Sequence, residues 1–140
     1  MKGNLLTFSL LSATPDYLSG RSAWIQHIPF AFLVIEALRP DTFVELGSHF
    51  GDSYCAFCQA AKTLELPMRA FAIDTWEGDQ HAGFYGQEVY DQMKLVHDEP
   101  YGHFSEMKRM KPMAPLIYCT STVCIPTKQS SMISKRGCPR

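Results

Sequence analysis

The chain has 140 residues, of which 46% are hydrophobic and 19% charged, and this composition excludes a disordered or low-complexity protein. The length suits one domain with a packed core. Residues 1–106 carry 14 acidic and 6 basic side chains, whereas residues 107–140 carry seven basic side chains and no acidic one. The five cysteines do not form a secreted disulfide framework, so we expect a cytoplasmic location. No apolar run reaches the roughly 18–20 residues that a membrane span needs.

The N-terminal part predicts a lead-in segment followed by a helix. Residues 1–21 are weakly patterned and are expected to lie against the domain. Pro29 to Leu38 predicts a helix, because proline suits a first helical position and Arg39-Pro40 ends the run. Trp24 and His27 either pack and cap this helix or line a ligand mouth, and we favour packing and capping.

A strand, a helix and a second strand follow in the order of a βαβ unit. Thr42–Leu46 is predicted as a strand covered on both faces, because it is almost continuously apolar. Ser53–Leu64 is predicted as a helix capped by Asp52, and Arg69–Ile73 as a strand that ends at Asp74. Two strands joined in this way should be parallel and form an α/β fold.

The predicted helix contains a C-x-x-C pair, Cys55 and Cys58. A redox or zinc role would need a matching partner pair and an exposed helix start. Both cysteines have small apolar neighbours, which favours core packing.

The turn between the first strand and the helix predicts a ligand site. Gly47 and Gly51 let a ligand approach the backbone, but His49 stands where a G-x-G-x-x-G motif has its second glycine, which argues against a nicotinamide dinucleotide. The carboxyl ends of parallel strands meet at one edge of the sheet, so Glu45 and Asp74 should converge there. Glu45 would attract an ammonium group, and Asp74 would accept two ribose hydroxyls.

Beyond Asp74 the sequence predicts a loop over 75–86 and a helix over 87–96, and then a polar loop over 98–104. His97 and His103 flank that second loop, but their spacing matches no standard metal pattern.

From about Met110 the hydrophobic pattern fails, and prolines interrupt the tail at four positions, 112, 115, 126 and 139. One interpretation of this basic tail is a nucleic-acid-binding arm. Another is a slipped reading frame: permitted codons for residues 113–139, read one nucleotide earlier, spell D-G-S-I-D-L-L-H-I-D-G-L-H-T-Y-E-A-V-K-H-D-F-E-T-W-L-P. That phrase predicts a strand, a glycine turn and an amphipathic helix, which an α/β sheet should contain here. We therefore favour the slipped frame for 110–140 and expect no nucleic-acid partner.

Two stretches resemble class I S-adenosylmethionine-dependent methyltransferases, namely V-E-L-G-S-H-F-G-D-S-Y and A-I-D-T-W-E-G-D-Q-H-A-G-F-Y-G-Q-E-V-Y. More narrowly, they are similar to a bacterial group often found beside or fused to glycosyltransferases. The resemblance covers about residues 24–106, within a predicted cofactor-binding domain at 22–109. It implies an α/β, Rossmann-like three-layer parallel sheet, of which this chain holds the N-terminal half without the later strands.

The resemblance also implies S-adenosyl-L-methionine as the cofactor and assigns roles to individual residues. The methionine end would contact Glu45, Gly47, Ser48 and Gly51. Asp74 would hold the ribose, with Thr75 and Trp76 near the adenine.

The resemblance implies a small molecule or glycan as the acceptor, and a hydroxyl acceptor calls for a general base. His81 and Asp79 are the candidate catalytic residues, and ordering of their own loop is the alternative role for both. The alternative function is a truncated, non-catalytic remnant with at most weak nucleoside binding.

Overall fold

The computed structural model describes residues 9–10 and 12–111, together with the backbone of residues 122–124. The helices in this part of the chain are a 3-10 helix at Ala23–His27, α1 at Ile28–Leu38, α2 at Asp52–Thr63 and α3 at Gln87–Tyr101. The strands are β1 at Thr42–Leu46, β2 at Arg69–Asp74, β3 at Gly78–Asp79, β4 at Gly83–Phe84, β5 at Ser105–Arg109 and β6 at Thr122–Cys124. The predictions for residues 1–8 and for most of the tail, 112–121 and 125–140, lie outside the described residues.

The main sheet has the strand order β5-β2-β1-β6, and β3 and β4 form a separate two-stranded ribbon. β1 pairs in parallel with β2, and β2 pairs in parallel with β5. The predicted βαβ unit and the α/β class are therefore confirmed for these three strands. β6 pairs antiparallel with β1, with its three residues opposite Val44, Glu45 and Leu46.

The core lies on one face of this sheet. Phe43 of β1 is fully buried and packs against Phe57 of α2 at a ring-centroid distance of 4.5 Å. α3 reaches the same face through His97, which contacts the buried Ser105 of β5, and α1 packs against α2.

The opposite face is only partly covered. Its apolar side chains are half-buried: Val44, Leu46, Phe71 and Ile73. This face of β1 is therefore less well covered than predicted. The predicted third layer is not among the described residues. Alternating burial is typical of a sheet with helices on one side.

Several predicted boundaries need correction. Asp52 does not cap α2, because Gly51 is the N-cap residue and Asp52 is the first helical residue. α3 continues past Val96 to Tyr101 and contains Pro100 in its last turn, where the missing N–H removes the helix hydrogen bond to the Val96 carbonyl. β5 was not predicted, and the loop over 75–86 contains the β3–β4 ribbon.

Trp24 packs as predicted. It is half-buried, and its ring contacts Phe57 at 6.0 Å and His27 at 5.5 Å between centroids. His27 occupies the N-cap position of α1, but its side chain makes no capping hydrogen bond, so its predicted capping role is wrong.

The cysteines of the C-x-x-C pair are free and buried in the core. Burial raises the pKa of the Cys58 thiol to about 12 and raises that of Cys55 as well. Both thiols therefore stay protonated near neutral pH, which suits core packing rather than redox chemistry.

Candidate functional site

The turn that joins β1 to α2 contains a run of left-handed backbone. Gly47, His49 and Gly51 have φ angles of 79°, 50° and 87°. A Cβ atom added to Gly47 would meet nothing within 4 Å, whereas one added to Gly51 would lie 3.0 Å from the Cγ of Met93. The turn is thus open at Gly47 and closely packed at Gly51. His49 adopts a conformation that costs a non-glycine residue energy, and such strain is concentrated at functional sites.

Asp74 connects this turn to the end of β2. Its Oδ2 accepts a hydrogen bond from the backbone N–H of His49 at 2.8 Å, and its Oδ1 accepts one from the N–H of Trp76 at 2.9 Å. The Thr75 hydroxyl lies 3.5 Å from Oδ1, at the limit of a hydrogen bond. Each carboxylate oxygen has two acceptor positions, so Asp74 keeps capacity for ligand hydroxyls.

Glu45 lies on the same face of the sheet as Asp74. It pairs with Ala72 of β2, two residues before Asp74, and side chains two residues apart along a strand share a face. Glu45 is only 2% exposed. Burial raises its pKa to about 7, the nearby hydroxyls of Ser53 and Ser48 oppose that rise, and the charge of Asp74 adds to it.

Four buried polar atoms at this edge of the sheet have no hydrogen-bond partner among the described residues. They are Glu45 Oε2, Ser48 Oγ, His49 Nε2 and Trp76 Nε1. Buried polar atoms are almost always hydrogen-bonded in folded proteins, so each of these atoms lacks a partner that a water molecule or a ligand would supply.

Trp76 is held rigidly beside Asp74. It is 1% exposed, has a φ of 51° and contacts the Tyr90 ring edge-on at 4.9 Å between centroids. Its ring is therefore part of the core beside α3, and its Nε1 has no hydrogen-bond partner among the described residues.

The β3–β4 ribbon carries the two predicted catalytic residues. Asp79 Oδ1 accepts hydrogen bonds from the backbone N–H groups of His81 and Ala82, each at 2.7 Å, so Asp79 does order its own loop. These two bonds lower the pKa of Asp79. The charge of Asp79 is also among those that act to raise the pKa of His49, although burial lowers that pKa overall. His81 is exposed on the same ribbon.

The lead-in segment, residues 1–21, makes hydrogen bonds to the glycine turn and to the start of α2 that the sequence did not indicate. Asp52 accepts hydrogen bonds from the backbone N–H and hydroxyl of Ser19 at 2.7 and 2.6 Å. The Tyr17 hydroxyl donates to the carbonyl oxygen of Phe50 at 3.1 Å. A short lead-in with serine, aspartate and glycine suggested only turns, so its role in bracing the glycine turn had no sequence signal.

A second polar cluster lies in the core, away from the turn. His97 is 1% exposed; its Nε2 lies 2.7 Å from the Ser105 Oγ, and its Nδ1 lies 2.9 Å from Asp98 Oδ1. The Ser105 Oγ also lies 2.6 Å from the Tyr54 hydroxyl. His97 is thus a structural residue of the helix–sheet interface. Among the described residues no group of three or more His, Cys, Asp or Glu side chains is placed to hold a metal ion.

The fold and site define an α/β domain in which polar side chains meet at the carboxyl ends of parallel strands. A stretch of 95 residues, 68% of the chain, is 46% identical to the uncharacterized protein y4gI of Sinorhizobium fredii (strain NBRC 101917 / NGR234). The match covers 10% of that relative, so the chain spans about a tenth of the length of the protein it resembles. No family model and no solved structure matches the chain. In the described part of the chain, no helix has the length and apolar character of a membrane span.

Proposed function

We propose that the chain carries the cofactor-binding part of a class I S-adenosylmethionine-dependent methyltransferase with a Rossmann-like fold. The observation that carries the proposal is the group of four unpartnered polar atoms around the strand ends, next to the open backbone of Gly47. The resemblance of the glycine turn and of the 74–86 stretch to that family supports the same ligand. The proposal includes a cytoplasmic location.

The residues at the strand ends fit the polar groups of the cofactor. Glu45 would face the ammonium group, since a buried carboxylate with a free oxygen is stabilised by a cation. Ser48 and the backbone of Gly47 and Gly51 would line the rest of the amino-acid end. Asp74 has acceptor capacity left for the ribose hydroxyls.

Thr75 and Trp76, which follow Asp74, would lie beside the adenine. The Trp76 indole offers its N–H at this point rather than a free ring face, because the ring is buried against Tyr90.

When bound, the cofactor supplies an activated methyl group on a positively charged sulfur, so the protein mainly has to align the acceptor. Of the two candidate bases, His81 suits a neutral-pH proton acceptor better than Asp79, because backbone hydrogen bonds lower the pKa of Asp79. We propose a small-molecule or glycan hydroxyl as the acceptor, on the family resemblance alone.

A second candidate function is a non-catalytic remnant that binds a nucleoside ligand weakly. The half-buried second face of the sheet and the antiparallel pairing of β6 with β1 favour it, because a Rossmann-like sheet is expected to be parallel and covered on both faces.

Isothermal titration calorimetry with S-adenosylhomocysteine tests the proposed ligand. Measurable binding that Asp74→Ala abolishes supports the proposal, and no binding by folded protein contradicts it. Release of radiolabelled methyl groups from S-adenosylmethionine, in the presence of a panel of methyl glycosides, then separates an enzyme from a remnant.

A further inference from the structure

β5 forms one edge of the main sheet, and it has no second neighbour among the described strands. An edge strand presents a row of backbone N–H and C=O groups that pair readily with another strand. Charged side chains on such a strand discourage pairing wherever like charges would meet. The sequence of β5, S-E-M-K-R, contains charges of both signs, so it discourages some registers of pairing and favours others.

The ladder between β2 and β5 shows which residues of β5 direct their backbone groups outward. The Ala70 N–H donates to the Phe104 carbonyl oxygen at 3.0 Å, and the Met110 N–H donates to the Asp74 carbonyl oxygen at 2.8 Å. Alternate residues of a strand direct their backbone groups to the same side, so the even-numbered residues of this segment face β2. The odd-numbered residues of β5 point their backbone groups away from the sheet, and they are Ser105, Met107 and Arg109.

Charge selects one register in which two copies of β5 could pair. Antiparallel pairing about a two-fold axis has to bring the odd-numbered residues of the two copies opposite one another. With the axis at Met107, Glu106 of each copy lies opposite Lys108 of the other copy. In the next register on either side, the axis passes through Glu106 or through Lys108, and identical charges lie opposite each other. Opposite charges stabilise a cross-strand pair and like charges destabilise it, so the register centred on Met107 is favoured.

The two charged side chains of this register are accessible. Glu106 and Lys108 are 54% and 52% exposed, and Lys108 Nζ lies 3.2 Å from Glu106 Oε2. On β2, a guanidinium nitrogen of Arg69 lies 3.7 Å from Glu106 Oε1. Exposed ion pairs contribute little stability, so these contacts leave both side chains able to pair across a strand boundary.

We propose that the β5 edge is a dimer interface, at which β5 pairs antiparallel with β5 of a second copy of this chain in the register centred on Met107. Backbone hydrogen bonds between the strands supply the affinity, and the two Glu106–Lys108 pairs exclude other registers. Because the two strands run antiparallel, the candidate sites of the two copies lie at opposite ends of the joined sheet. The inference does not rest on the proposed function.

Sedimentation velocity of the full chain over a concentration series tests whether the dimer forms. We expect a reversible monomer–dimer equilibrium that weakens between about 50 mM and about 500 mM salt, because exposed charge pairs are screened. A chain that stays monomeric at every concentration, or that forms open-ended oligomers, overturns the proposal.

Charge reversal tests whether β5 is the interface. Glu106→Lys places a lysine opposite Lys108 of the second copy, and Lys108→Glu places a glutamate opposite Glu106. Each variant alone should dimerise at least about tenfold more weakly than wild type, because two favourable pairs become two unfavourable ones. An equimolar mixture of the two variants should form a one-to-one heterodimer, since every cross-strand pair then has opposite charges. Sedimentation with a fluorescent label on one variant detects that heterodimer.

Two further variants complete the test. A chain with both reversals, Glu106→Lys and Lys108→Glu, again has opposite charges facing each other and should regain the dimer. Glu99→Lys is the matched control, because Glu99 is exposed on α3 and lines a groove with Asp16 and Tyr17 rather than the β5 edge. It should dimerise as wild type does.

Reversed variants that dimerise as tightly as wild type, or a mixture that forms no heterodimer, would place the interface elsewhere and overturn the proposal. The mixture and the double reversal decide the question even if one single variant does not fold. Failure of S-adenosylhomocysteine to bind would contradict the proposed function and leave this inference standing.

Discussion

The backbone N–H of His49 donates to Asp74 Oδ2 at 2.8 Å, and this bond ties the turn after β1 to the end of β2. The two residues are 25 positions apart, and the bond holds His49 in the left-handed region with a φ of 50°. Asp74 therefore shapes the turn as well as facing a ligand. Any test of its ligand role has to separate these two effects.

Asp74→Asn should weaken S-adenosylhomocysteine binding more than tenfold and destabilise the fold by about 1–3 kcal/mol. The amide has one acceptor oxygen where the carboxylate has two, so either the His49 or the Trp76 N–H loses its partner. Titration calorimetry and urea denaturation measure the two effects. Asp91→Asn, with the same change on the exposed surface of α3, should leave both quantities unchanged. Wild-type affinity in Asp74→Asn would contradict the ligand role.

Glu45→Gln should change how stability depends on pH. The pKa of Glu45 rises from 4.5 to about 7 in the folded protein, because burial disfavours its charge. Between these values the folded form holds a proton that the unfolded chain has lost. The free energy of unfolding should therefore fall as pH rises from about 4.5 to 7, by on the order of 3 kcal/mol. Glutamine cannot ionise, so the variant should lack this fall and gain stability relative to wild type at pH 8.

Urea denaturation of both proteins at pH 5 and pH 8 measures this difference. Glu99→Gln, at an exposed site on α3, controls for the amide itself. Parallel pH profiles for wild type and Glu45→Gln would show that the buried carboxyl does not titrate in this range.

Gly47→Ala and Gly51→Ala should have different consequences. Both positions have positive φ, so an alanine at either costs about 1–2 kcal/mol of backbone strain. The alanine at Gly51 would also press on the Met93 side chain, with contacts of 3.0 to 3.2 Å, and should destabilise the fold more. The alanine at Gly47 projects into open space, so it should mainly reduce S-adenosylhomocysteine binding.

Thermal unfolding and titration calorimetry distinguish the two glycine variants. Gly51→Ala should cost less stability when it is introduced into Met93→Ala than when it is introduced into the wild type, because the shorter side chain at position 93 removes the crowding. Unchanged ligand affinity in Gly47→Ala would place the ligand away from the turn.

Ser105→Ala should lower the free energy of unfolding by about 1–3 kcal/mol, because it leaves the buried Tyr54 hydroxyl and His97 Nε2 without their shared partner. Ligand affinity should not change, since this cluster lies in the core between α3 and β5. Urea denaturation measures the stability and titration calorimetry the affinity. A loss of affinity without a loss of stability would assign the cluster to the ligand site instead.

The sequence predicted the parts of the fold in which local pattern and tertiary role agree. Thr42–Leu46 was predicted to the residue, because an apolar run ends at a glycine turn. β5 was missed, because S-E-M-K-R is mostly charged; only Ser105 is buried, and the other side chains of this edge strand are partly or fully exposed. α3 was predicted too short, because the polar residues after Val96 indicated a loop, whereas the helix continues to Tyr101.

The candidate site was only partly visible for a similar reason. The turn glycines, Gly47 and Gly51, and the two acids, Glu45 and Asp74, lie at the ends of predicted strands. That they meet at one edge of the sheet could therefore be predicted from βαβ geometry alone. The positive φ of Trp76 could not be predicted, because tryptophan has no preference for it, and that of His49 was not predicted, although histidine is enriched in this region. Tertiary contacts impose it, through the hydrogen bonds that Asp74 accepts from both backbones.

The half-buried face of the sheet makes the slipped reading frame testable in the protein as well as in the gene. β6 occupies the edge of β1 over three residues and runs antiparallel, whereas the strand of the re-framed sequence, I-D-L-L-H-I-D, would pair there in parallel. The amphipathic helix that follows it would cover Val44, Leu46, Phe71 and Ile73, which are half-buried in the present chain. Burial of that face contributes about 25 cal/mol per Å² of apolar surface.

A chain expressed from the re-framed gene should therefore unfold at a higher temperature, dissolve better and bind S-adenosylhomocysteine more tightly than the present one. Scanning calorimetry and titration calorimetry on both chains measure this, and the chain with residues 110–140 deleted is the control for the tail itself. Sequencing the gene across codons 105–115 in independent isolates gives the genetic test. An intact frame in those isolates, or a cooperative and highly stable transition in the present chain, would contradict the slip, because a sheet with a half-buried face should unfold easily.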